Sequence, residues 1–409
     1  MSEALYQKLS KIAEITMGQS PASSDCNDSG EGLPFYQGNA DFGFKSPTPS
    51  RYCTKPKKTA TAGDILFSVR APVGDVNIAN EECAIGRGLS AIRSVKALQQ
   101  YLYFFLQFYK KEWGKVQQGS TFEAINKNDL AEMNVFAPPL QEQQKIADIL
   151  SSVDETIEKT ETIINQTEKV KSGLMQNLLT RGIGHTKFKE TEVGEIPEKW
   201  ELLSIGSIAK LQGGYAFKSK DYIAEGIQLI RISNLFGKFL NLAKDPVYLP
   251  TSYKDDYKGY VLKEGDLIIC MTGTVGKEDY GHVVKIPQNS KPLLLNQRVG
   301  KFVLQNQEID RNFLYWFLSS RLFLDVIYSF GNGTKQANLS AKQIESVLIP
   351  LPPREEQVRI SKMIDSIDKK VEIEKQKLEQ LKQVKKGLMQ SLLTGKVRVT
   401  VDEAEVTQV

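Results

Sequence analysis

The sequence contains one long segment twice. Residues 138–180 read PPLQEQQKIADILSSVDETIEKTETIINQTEKVKSGLMQNLLT, and residues 352–394 read PPREEQVRISKMIDSIDKKVEIEKQKLEQLKQVKKGLMQSLLT. The offset is 214 residues throughout, without a gap, and 18 of 43 positions are identical. Agreement over this length indicates an internal duplication. We therefore expect the chain to be built from two copies of one unit, each ending in this segment.

Each copy carries mainly apolar residues at alternating spacings of three and four. This spacing is typical of a helix that keeps a partner helix along one side. The predicted helix-pair seam consists of Ile146, Leu150, Val153, Ile157, Ile164, Leu174 and Leu178 in the first copy, and of Ile360, Ile364, Ile367, Val371, Leu378, Leu381, Leu388 and Leu392 in the second. Helices of about 40 residues would be about 60 Å long. We predict that the two helices form an antiparallel pair.

Some polar residues in the repeated segments also have predicted places. The Pro-Pro pairs suit the first turn of a helix, where a missing N–H costs little. Glu142, Glu355 and Glu356 then lie near the positive end of the helix dipole. Lys171 and Lys385 fall on the seam in both copies. They could extend along the helix end towards water or face a partner subunit, and both alternatives stay open.

Composition limits what the chain can be. With 409 residues, it exceeds one typical domain. Apolar residues make up 41% and charged residues 25%, which are ordinary values for a folded soluble protein. The net charge of +4 permits a polyanionic partner without requiring one.

The sequence offers no clustered metal ligands and no membrane segment. The four cysteines are Cys26, Cys53, Cys83 and Cys270, and none forms a C-x-x-C pair. Because a zinc site needs clustered ligands, we predict no metal site and expect reduced cysteines. The first 15 residues lack the apolar run of a signal peptide, and the most apolar window, residues 101–109, is too short to span a bilayer. We expect a cytoplasmic protein.

The duplication continues outside the helices. Residues 62–69 and 264–271 both place Gly-Asp before a strand pattern, and residues 101–109 and 313–320 both have the pattern of a core-packed helix. This mixture predicts two α/β (α+β) globular parts joined by the two long helices. The predicted boundaries are 1–137 for the first globular part, 138–186 for the first long helix and linker, 187–350 for the second globular part, 351–400 for the second long helix and 401–409 for a tail.

Two further correspondences between the halves are predicted from matching residues. Val73-Gly74 is expected to correspond to Val275-Gly276, and Arg87 to Arg298. Long polar stretches, such as 17–47, are expected to be functional loops.

Catalytic motifs are missing from the sequence. The loop 271–279 (MTGTVGKED) departs from a phosphate-binding loop, since Gly273 and Gly276 are too close and Glu278 follows the lysine. Neither Pro-Pro pair has the amide and aromatic flanks of a methyltransferase tetrad. We predict no catalytic residues and no enzyme activity for the chain itself.

The repeated motifs resemble those of one protein family. The paired segments PPLQEQQKIADIL and PPREEQVRISKMI, the paired segments KSGLMQNLLTRG and KKGLMQSLLTGK, and EIPEKWELLSIGSIAKLQGG all resemble the specificity (S) subunit of type I restriction-modification enzymes. The resemblance covers essentially the whole chain. The first globular part departs from the pattern because it begins at SKIAEITMGQSP and lacks the Ile-Pro-x-x-Trp lead-in.

The resemblance implies a role and a set of partners. Each globular part is similar to a target recognition domain that reads one half of a bipartite sequence in double-stranded DNA. The long helices would set the spacer between the half-sites and dock two methyltransferase (M) subunits, and restriction (R) subunits would join through that complex. Catalysis would belong to the partners, with S-adenosylmethionine in M and ATP and Mg in R. The chain itself would hold no cofactor.

Arginine, asparagine and glutamine can bond base edges, while lysine, serine and threonine can hold phosphates. The DNA-contact candidates in the first globular part are Gln19, Arg70, Arg87, Gln118, Ser120, Thr121, Asn126 and Lys127. Those in the second are Lys218, Arg231, Asn234, Thr272, Gln297, Arg298, Asn332, Thr334, Lys335 and Asn338. For each of them, the alternative is an ordinary solvated loop residue. The alternative for the chain is a non-catalytic two-domain scaffold that binds protein or RNA.

Overall fold

The computed structural model describes residues 5–117, 124–236, 239–288, 290–330 and 336–400. The chain forms two compact units, here called unit 1 (residues 1–164 and 374–409) and unit 2 (residues 165–373). Both long helices are divided between the units, so each unit contains one part of each. Within the described ranges, no helix has both the length and the apolar character needed to cross a membrane.

Unit 1 combines short strands with four helices that begin in it. Its strands are β1 (Tyr6–Lys8), β2 (Ala13–Met17), β3 (Cys26–Asn27), β4 (Leu33–Tyr36), β5 (Tyr52–Cys53), β6 (Thr59–Ala60), β7 (Ile65–Ser68), β8 (Val76–Ile78), β9 (Cys83–Ile85), β10 (Leu89–Ser94) and β11 (Asn134–Phe136). Its helices are α1 (Leu9–Ile12), α2 (Gln99–Gln117), α3 (Lys127–Ala131) and the long α4 (Leu140–Thr180).

Two larger sheets and one short pair organise these strands. One sheet has the order β2-β10-β7-β8, the other has the order β3-β5-β4-β9-β6, and β1 pairs with β11. The pairing of β4 with β9 is parallel, whereas the neighbouring pairings are antiparallel. The α2 residues Leu102 and Phe105 are buried in the core of unit 1. The first turns of α4, including Ile146 and Leu150, enter the same core.

Unit 2 repeats this plan with additional short strands. Its strands are β12 (Phe188–Lys189), β13 (Ile196–Pro197), β14 (Glu201–Ser204), β15 (Ala209–Gly213), β16 (Ile227–Ile230), β17 (Leu235–Phe236), β18 (Phe239–Leu240), β19 (Tyr248–Leu249), β20 (Val261–Leu262), β21 (Leu267–Cys270), β22 (Thr272–Thr274), β23 (Val283–Lys285), β24 (Leu293–Leu295), β25 (Val299–Leu304), β26 (Gln336–Asn338) and β27 (Leu348–Leu351). Its helices are α5 (Ile205–Ile208), α6 (Tyr253–Asp256), α7 (Arg311–Leu318), α8 (Arg321–Ser329), α9 (Ala341–Ser346) and the long α10 (Arg354–Leu392).

The sheet orders of unit 2 match those of unit 1. The order β15-β25-β21-β23 corresponds to β2-β10-β7-β8, and β19-β16-β24-β20 corresponds to β5-β4-β9-β6. The parallel pairing recurs between β16 and β24. The structure therefore shows two repeated domains of mixed helix and sheet.

Within each unit, the two long helices run in opposite directions. In unit 1, Asp154 of α4 contacts Lys385 of α10 at 2.6 Å, and Glu161 of α4 contacts Lys382 of α10 at 3.0 Å. Residue numbers along α4 therefore increase as those of the contacting residues of α10 decrease, as in an antiparallel pair. In unit 2, Lys171 pairs with Asp368. All the predicted seam residues are buried or half-buried. The two Lys–Asp pairs are related by the 214-residue offset, and they give both seam lysines an acidic partner.

The lysines of these pairs also lie over aromatic rings. Lys385 Nζ is 5.7 Å from the ring centre of Phe104, and Lys171 Nζ is 4.9 Å from that of Trp316. A cation over an aromatic face is attracted by the ring quadrupole. In each unit, a lysine on one long helix therefore connects the other long helix to the core helix that follows the main sheet.

The repeated glutamates hold the helix ends. Glu142 accepts hydrogen bonds from Arg398 Nε at 2.8 Å and from the backbone N–H of Val399, just beyond α10. The hydrogen bond from Arg398 lowers the pKa of the Glu142 carboxyl below its usual range. In unit 2, Glu356 accepts from the backbone N–H of Ile183 at 2.9 Å, just beyond α4.

Glu356 has two more partners near the end of α4. Its carboxylate lies 2.8 Å from His185 Nε2 and accepts a hydrogen bond from Trp200 Nε1 at 3.1 Å. Trp200 is the tryptophan of the Ile-Pro-x-x-Trp lead-in, which the first globular part lacks. Arg398 donates the corresponding side-chain hydrogen bonds in unit 1.

Two correspondences expected between the halves are wrong. Gly74 N–H donates to Ser68 O, and Gly281 N–H donates to Cys270 O, so Gly74 corresponds to Gly281 and not to Gly276. The connection between β21 and β23 is longer than that between β7 and β8, and it contains β22. The glycine that corresponds to Gly74 therefore comes later in the sequence than Gly276, which the matching of residues had selected. The second wrong correspondence is that of Arg87 with Arg298, which backbone hydrogen bonds at the end of the main sheet exclude.

Candidate nucleic-acid interface

Each unit has a junction where the first strand of the main sheet ends against the loop that precedes the central strand. In unit 1, Gly18 N–H donates to Leu89 O at 2.9 Å, and Gln19 N–H donates to Ile85 O at 3.0 Å. In unit 2, Gly214 N–H donates to Val299 O at 2.9 Å, and Tyr215 N–H donates to Leu295 O at 3.1 Å. The same backbone pattern thus presents Gln19 in one unit and Tyr215 in the other.

Both junctions require a glycine because two backbone segments approach closely. A Cβ at Gly18 would lie 2.2 Å from Gly86 O, and a Cβ at Gly214 would lie 2.0 Å from Asn296 O. These separations are far below van der Waals contact, so any larger residue would push the segments apart. The glycines therefore fix where the next side chain, Gln19 or Tyr215, leaves the sheet.

The same hydrogen bonds correct the predicted pairing of Arg87 with Arg298. Val69 N–H donates to Gly88 O, and Met271 N–H donates to Arg298 O, both at 3.0 Å. Arg298 therefore corresponds to Gly88, and Arg87 corresponds to Gln297. The alignment of the two loops differs by one residue from the predicted alignment. The prediction matched the two arginines, whereas the backbone hydrogen bonds align Arg298 with Gly88.

The junction of unit 1 is polar and exposed. Gln19, Arg70 and Arg87 are all exposed, and Arg70 directly follows Val69 at the end of β7. Arg70 also forms a backbone bridge with Ala124, which brings the segment before α3 to the junction. Ser20 Oγ donates to Gln37 and accepts from the backbone N–H of Arg87, so it holds the arginine loop in place.

The junction of unit 2 centres on Arg298. Its φ of 71° lies in the left-handed region, which costs a non-glycine residue about 1 kcal/mol or more. Arg298 Nη1 donates to Asn338 Oδ1 and, at 3.4 Å, to Thr272 Oγ1. The Thr272 hydroxyl donates to Asn338 Oδ1 at 3.1 Å. Since β22 pairs with β26 at Thr272 and Asn338, the sheet itself holds the partners of the arginine.

Four candidates are engaged by hydrogen bonds within their own unit. Asn234 is fully buried, and its side chain donates to the carbonyls of Asn241 and Lys244, so it is removed from the candidates. Thr272 is only 5% exposed and serves the Arg298 network rather than offering its own contact. Arg231 is half-buried and donates to Asp245 O at 2.6 Å. Asn126 caps α3 by accepting from two backbone N–H groups.

The remaining candidates divide into two groups. Lys127, Lys218, Gln297, Arg298 and Asn338 are exposed. Six others lie outside the described residues, namely Gln118, Ser120, Thr121, Asn332, Thr334 and Lys335. For these six, the sequence remains the only basis of the prediction.

Sequence reasoning missed an aromatic cluster beside the unit 2 junction. The tyrosine cluster consists of Tyr215, Phe217, Tyr253, Tyr257 and Tyr260, with ring centres between 4.8 and 6.0 Å apart in its contacting pairs. Its members come from two segments, residues 215–217 and 253–260. Tyr253, Tyr257 and Tyr260 are spaced by four and three, but no local pattern connects them with Tyr215 and Phe217. The sequence signal that could have indicated Tyr215 is Gly-Gly-Tyr at residues 213–215. It occupies the same place as Met-Gly-Gln at residues 17–19, but this correspondence is visible only after the strands are aligned.

The two junctions can make different contacts with the same kind of ligand. Arginine can bond guanine through two N–H groups, and glutamine can do the same for adenine. Unit 1 offers Gln19, Arg70 and Arg87, whereas unit 2 offers an arginine with an asparagine beside a tyrosine. Both sets suit the edges of DNA bases in a groove, and they suit different sequences.

Comparison with known proteins relates the chain to one family of DNA specificity proteins. A family model described as the type I restriction modification DNA specificity domain matches residues 2–169 and 197–383. The type I restriction enzyme MjaVIII specificity subunit of Methanocaldococcus jannaschii is 33% identical over 303 residues, which cover 73% of this chain and 70% of that protein. The MjaIX specificity subunit of the same organism is 24% identical over 96% of this chain and 93% of that protein.

Solved structures with the same fold are also similar over nearly the whole chain. The crystal structure of the type I restriction-modification system S subunit from M. genitalium superposes with a TM-score of 0.61 at 16% identity, covering 97% of this chain and 96% of that chain. A chain from a structural study of complex assembly and conformational transition in the type I R-M system gives a TM-score of 0.57 at 15% identity, covering 96% and 98%. At these identities the likeness concerns the fold.

Proposed function

The chain belongs to the type I restriction-modification DNA specificity family, and from that premise we propose that it is the subunit that selects the DNA sequence for such a complex. Each unit reads one half of a bipartite duplex target. The observation that carries the proposal is the pair of junctions, which share one backbone arrangement and present different side chains. Different side chains on equivalent scaffolds predict two different half-sites and therefore an asymmetric target.

Charge and exposure support DNA as the ligand of the junctions. The exposed arginines Arg70, Arg87 and Arg298 lie at these two places, and arginine serves both base edges and phosphates. The aligned backbone hydrogen bonds hold the exposed side chains on strand ends, which positions them better than a free loop would. The net charge of +4 is small, so we infer that local placement of charge matters more than a general attraction to polyanions.

The long helices and the partners follow from the same proposal. We propose that α4 and α10 set the spacer between the half-sites and dock two M subunits, and that R subunits join through that complex. S-adenosylmethionine in M and ATP with Mg in R would supply the chemistry, and this chain would supply none. The Lys–Asp pairs and the bonds of Glu142 and Glu356 support a rigid role for the helices, because they tie each helix to its neighbour at several points.

Co-expression with an M subunit in a host that has no DNA methylation of its own tests this function. Modified adenines are then read along the genome. We expect a single asymmetric motif in two parts separated by unspecified bases, and no motif when M is expressed without this chain. Methylation without a motif, or a stable complex that does not methylate, would instead favour the two-domain scaffold that binds protein or RNA.

A further inference from the structure

The packing of the fold does not explain why part of the Tyr215 ring is exposed. The residue is 39% exposed, although it is a large aromatic at the strand end where the Arg298 loop meets the sheet. Its neighbour Phe217 is buried with Leu229 and Leu294 in a small core of unit 2, and Tyr215 lies at the edge of that core. The exposed part of the ring is open to a ligand at this position.

The backbone of Tyr215 is held on both sides. Its N–H donates to Leu295 O at 3.1 Å, and its carbonyl accepts from Gln297 N–H at 2.9 Å. Because Gln297 directly precedes Arg298, the ring and the guanidinium start from adjacent points of one hydrogen-bonded arrangement. The backbones that carry Tyr215 and Arg298 are therefore joined at the same junction.

The ring of Tyr215 is fixed as well. Its centre lies 4.9 Å from that of Phe217, 4.8 Å from that of Tyr257 and 5.4 Å from that of Tyr260. These ring contacts hold the aromatic ring of Tyr215 in place and leave part of it exposed to a ligand. A ring fixed in advance loses little entropy on binding.

We propose that Tyr215 determines specificity in unit 2 by packing its ring against the methyl group of a thymine, next to the base that Arg298 bonds. This inference rests on the proposed DNA-reading function. The thymine methyl is the one apolar group that base edges present in the major groove, so it is the feature that an apolar ring recognises there. The equivalent residue in unit 1 is Gln19, whose amide prefers adenine, which gives the two half-sites different chemistry at the same place.

The test uses the full chain assembled with M and duplexes that carry the motif found by genome sequencing. Each thymine of the half-site read by unit 2 is replaced singly by uracil, which removes the methyl group and leaves the base pairing intact. We expect one replacement to weaken binding by about tenfold, within the usual range for one lost base contact. Uracil in the half-site read by unit 1 serves as the control for general effects of the substitution.

Two variants assign the effect to the ring. Tyr215→Phe keeps the ring and should keep the sensitivity to uracil. Tyr215→Gln, which installs the residue found in unit 1, should lose that sensitivity while the other half-site is still read. If the Tyr215→Gln variant does not assemble with M, Tyr215→Ala is used in its place. It should also lose the sensitivity to uracil while the other half-site is still read.

The outcomes separate this inference from the function on which it rests. If no motif is found, the proposed function fails. If a motif is found but no thymine in the second half-site responds to uracil, or if the response persists without the Tyr215 ring, the inference about Tyr215 is overturned and the function stands.

Discussion

At the scale of single residues, backbone position decides which side chains can act. Arg298 is exposed, held by Asn338 and Thr272, and placed at a φ of 71°. Its counterpart Gly88 has no side chain, and unit 1 offers Arg70 and Arg87 from the neighbouring positions instead. The two units therefore place arginine at different points of one backbone arrangement.

Two substitutions of Arg298 can separate the role of its guanidinium group from the cost of its left-handed backbone conformation. Arg298→Ala and Arg298→Gly both remove the guanidinium, so both should alter or abolish reading of the unit 2 half-site while assembly with M continues. Glycine tolerates the left-handed region and alanine does not, so the glycine variant should be more stable by about 1 kcal/mol. Binding to duplexes with each half-site changed, together with denaturant unfolding, measures the two effects. Loss of M assembly in both variants would mean that Arg298 is structural.

At the scale of helices, the repeated segment is explained by what its polar residues contact. Glu142 and Glu356 each begin one long helix and bind the residues just beyond the end of the other. Lys171 and Lys385 lie on the seam because each meets an aspartate and an aromatic ring. These contacts account for polar positions that an apolar helix seam would not require.

The bond of Glu142 with Arg398 should make stability depend on pH. Because the pKa of Glu142 is lowered in the folded chain, its contribution is present above the usual pKa of a glutamate and is lost as the pH falls through the lowered value. Glu142→Gln should reduce the free energy of unfolding by about 1–2 kcal/mol at neutral pH. The difference from the unsubstituted protein should vanish in acid.

Glu155→Gln is the matched control for this measurement. Glu155 is an exposed residue of α4 that pairs with Lys159 one turn away, and such surface pairs contribute little. Denaturant unfolding between neutral pH and pH about 3 compares the three proteins. A constant difference between Glu142→Gln and the unsubstituted protein across this range would show that the ionised carboxylate is not responsible.

At the scale of the whole molecule, the chain is two copies of one domain whose long helices are each divided between the copies. Such a chain keeps the two junctions on equivalent scaffolds. The family model matches both copies, at residues 2–169 and 197–383, so the duplication gives the chain two DNA specificity domains. The copies share their main sheet orders, while unit 2 has additional short strands and the junctions present different side chains.

A charge placed on the seam should alter the whole particle. Ile157 is 2% exposed and lies on α4 between Asp154 and Glu161, which pair with α10. Ile157→Glu should lower the free energy of unfolding by about 3 kcal/mol and change the radius of gyration seen by small-angle scattering. Ile149→Glu, at an exposed position of the same helix, is the control and should change neither. An unchanged particle with Ile157→Glu would contradict the role of the helix pair as a spacer.

The sequence by itself determined the duplication, the two long helices and the mixed domains. Local sequence patterns predict these features. The spacing of apolar residues by three and four predicts a long helix, and the repeat at an offset of 214 residues predicts a second copy of it. The repeated motifs also carried the resemblance to the family that the comparisons then showed. Even the choice of Gln19 and Arg298 as candidates needed only residue type and loop position.

Tertiary structure alone decided the register of the junctions and the fate of several candidates. Arg298 corresponds to Gly88 because strand hydrogen bonds set the alignment, and Asn234 is lost because its loop folds over it. The tyrosine cluster joins Tyr215 to Tyr257 across a stretch that contains two strands of one sheet, β16 and β19. Contacts of this kind depend on which strands become neighbours, and that is a property of the packed sheet that no local pattern encodes.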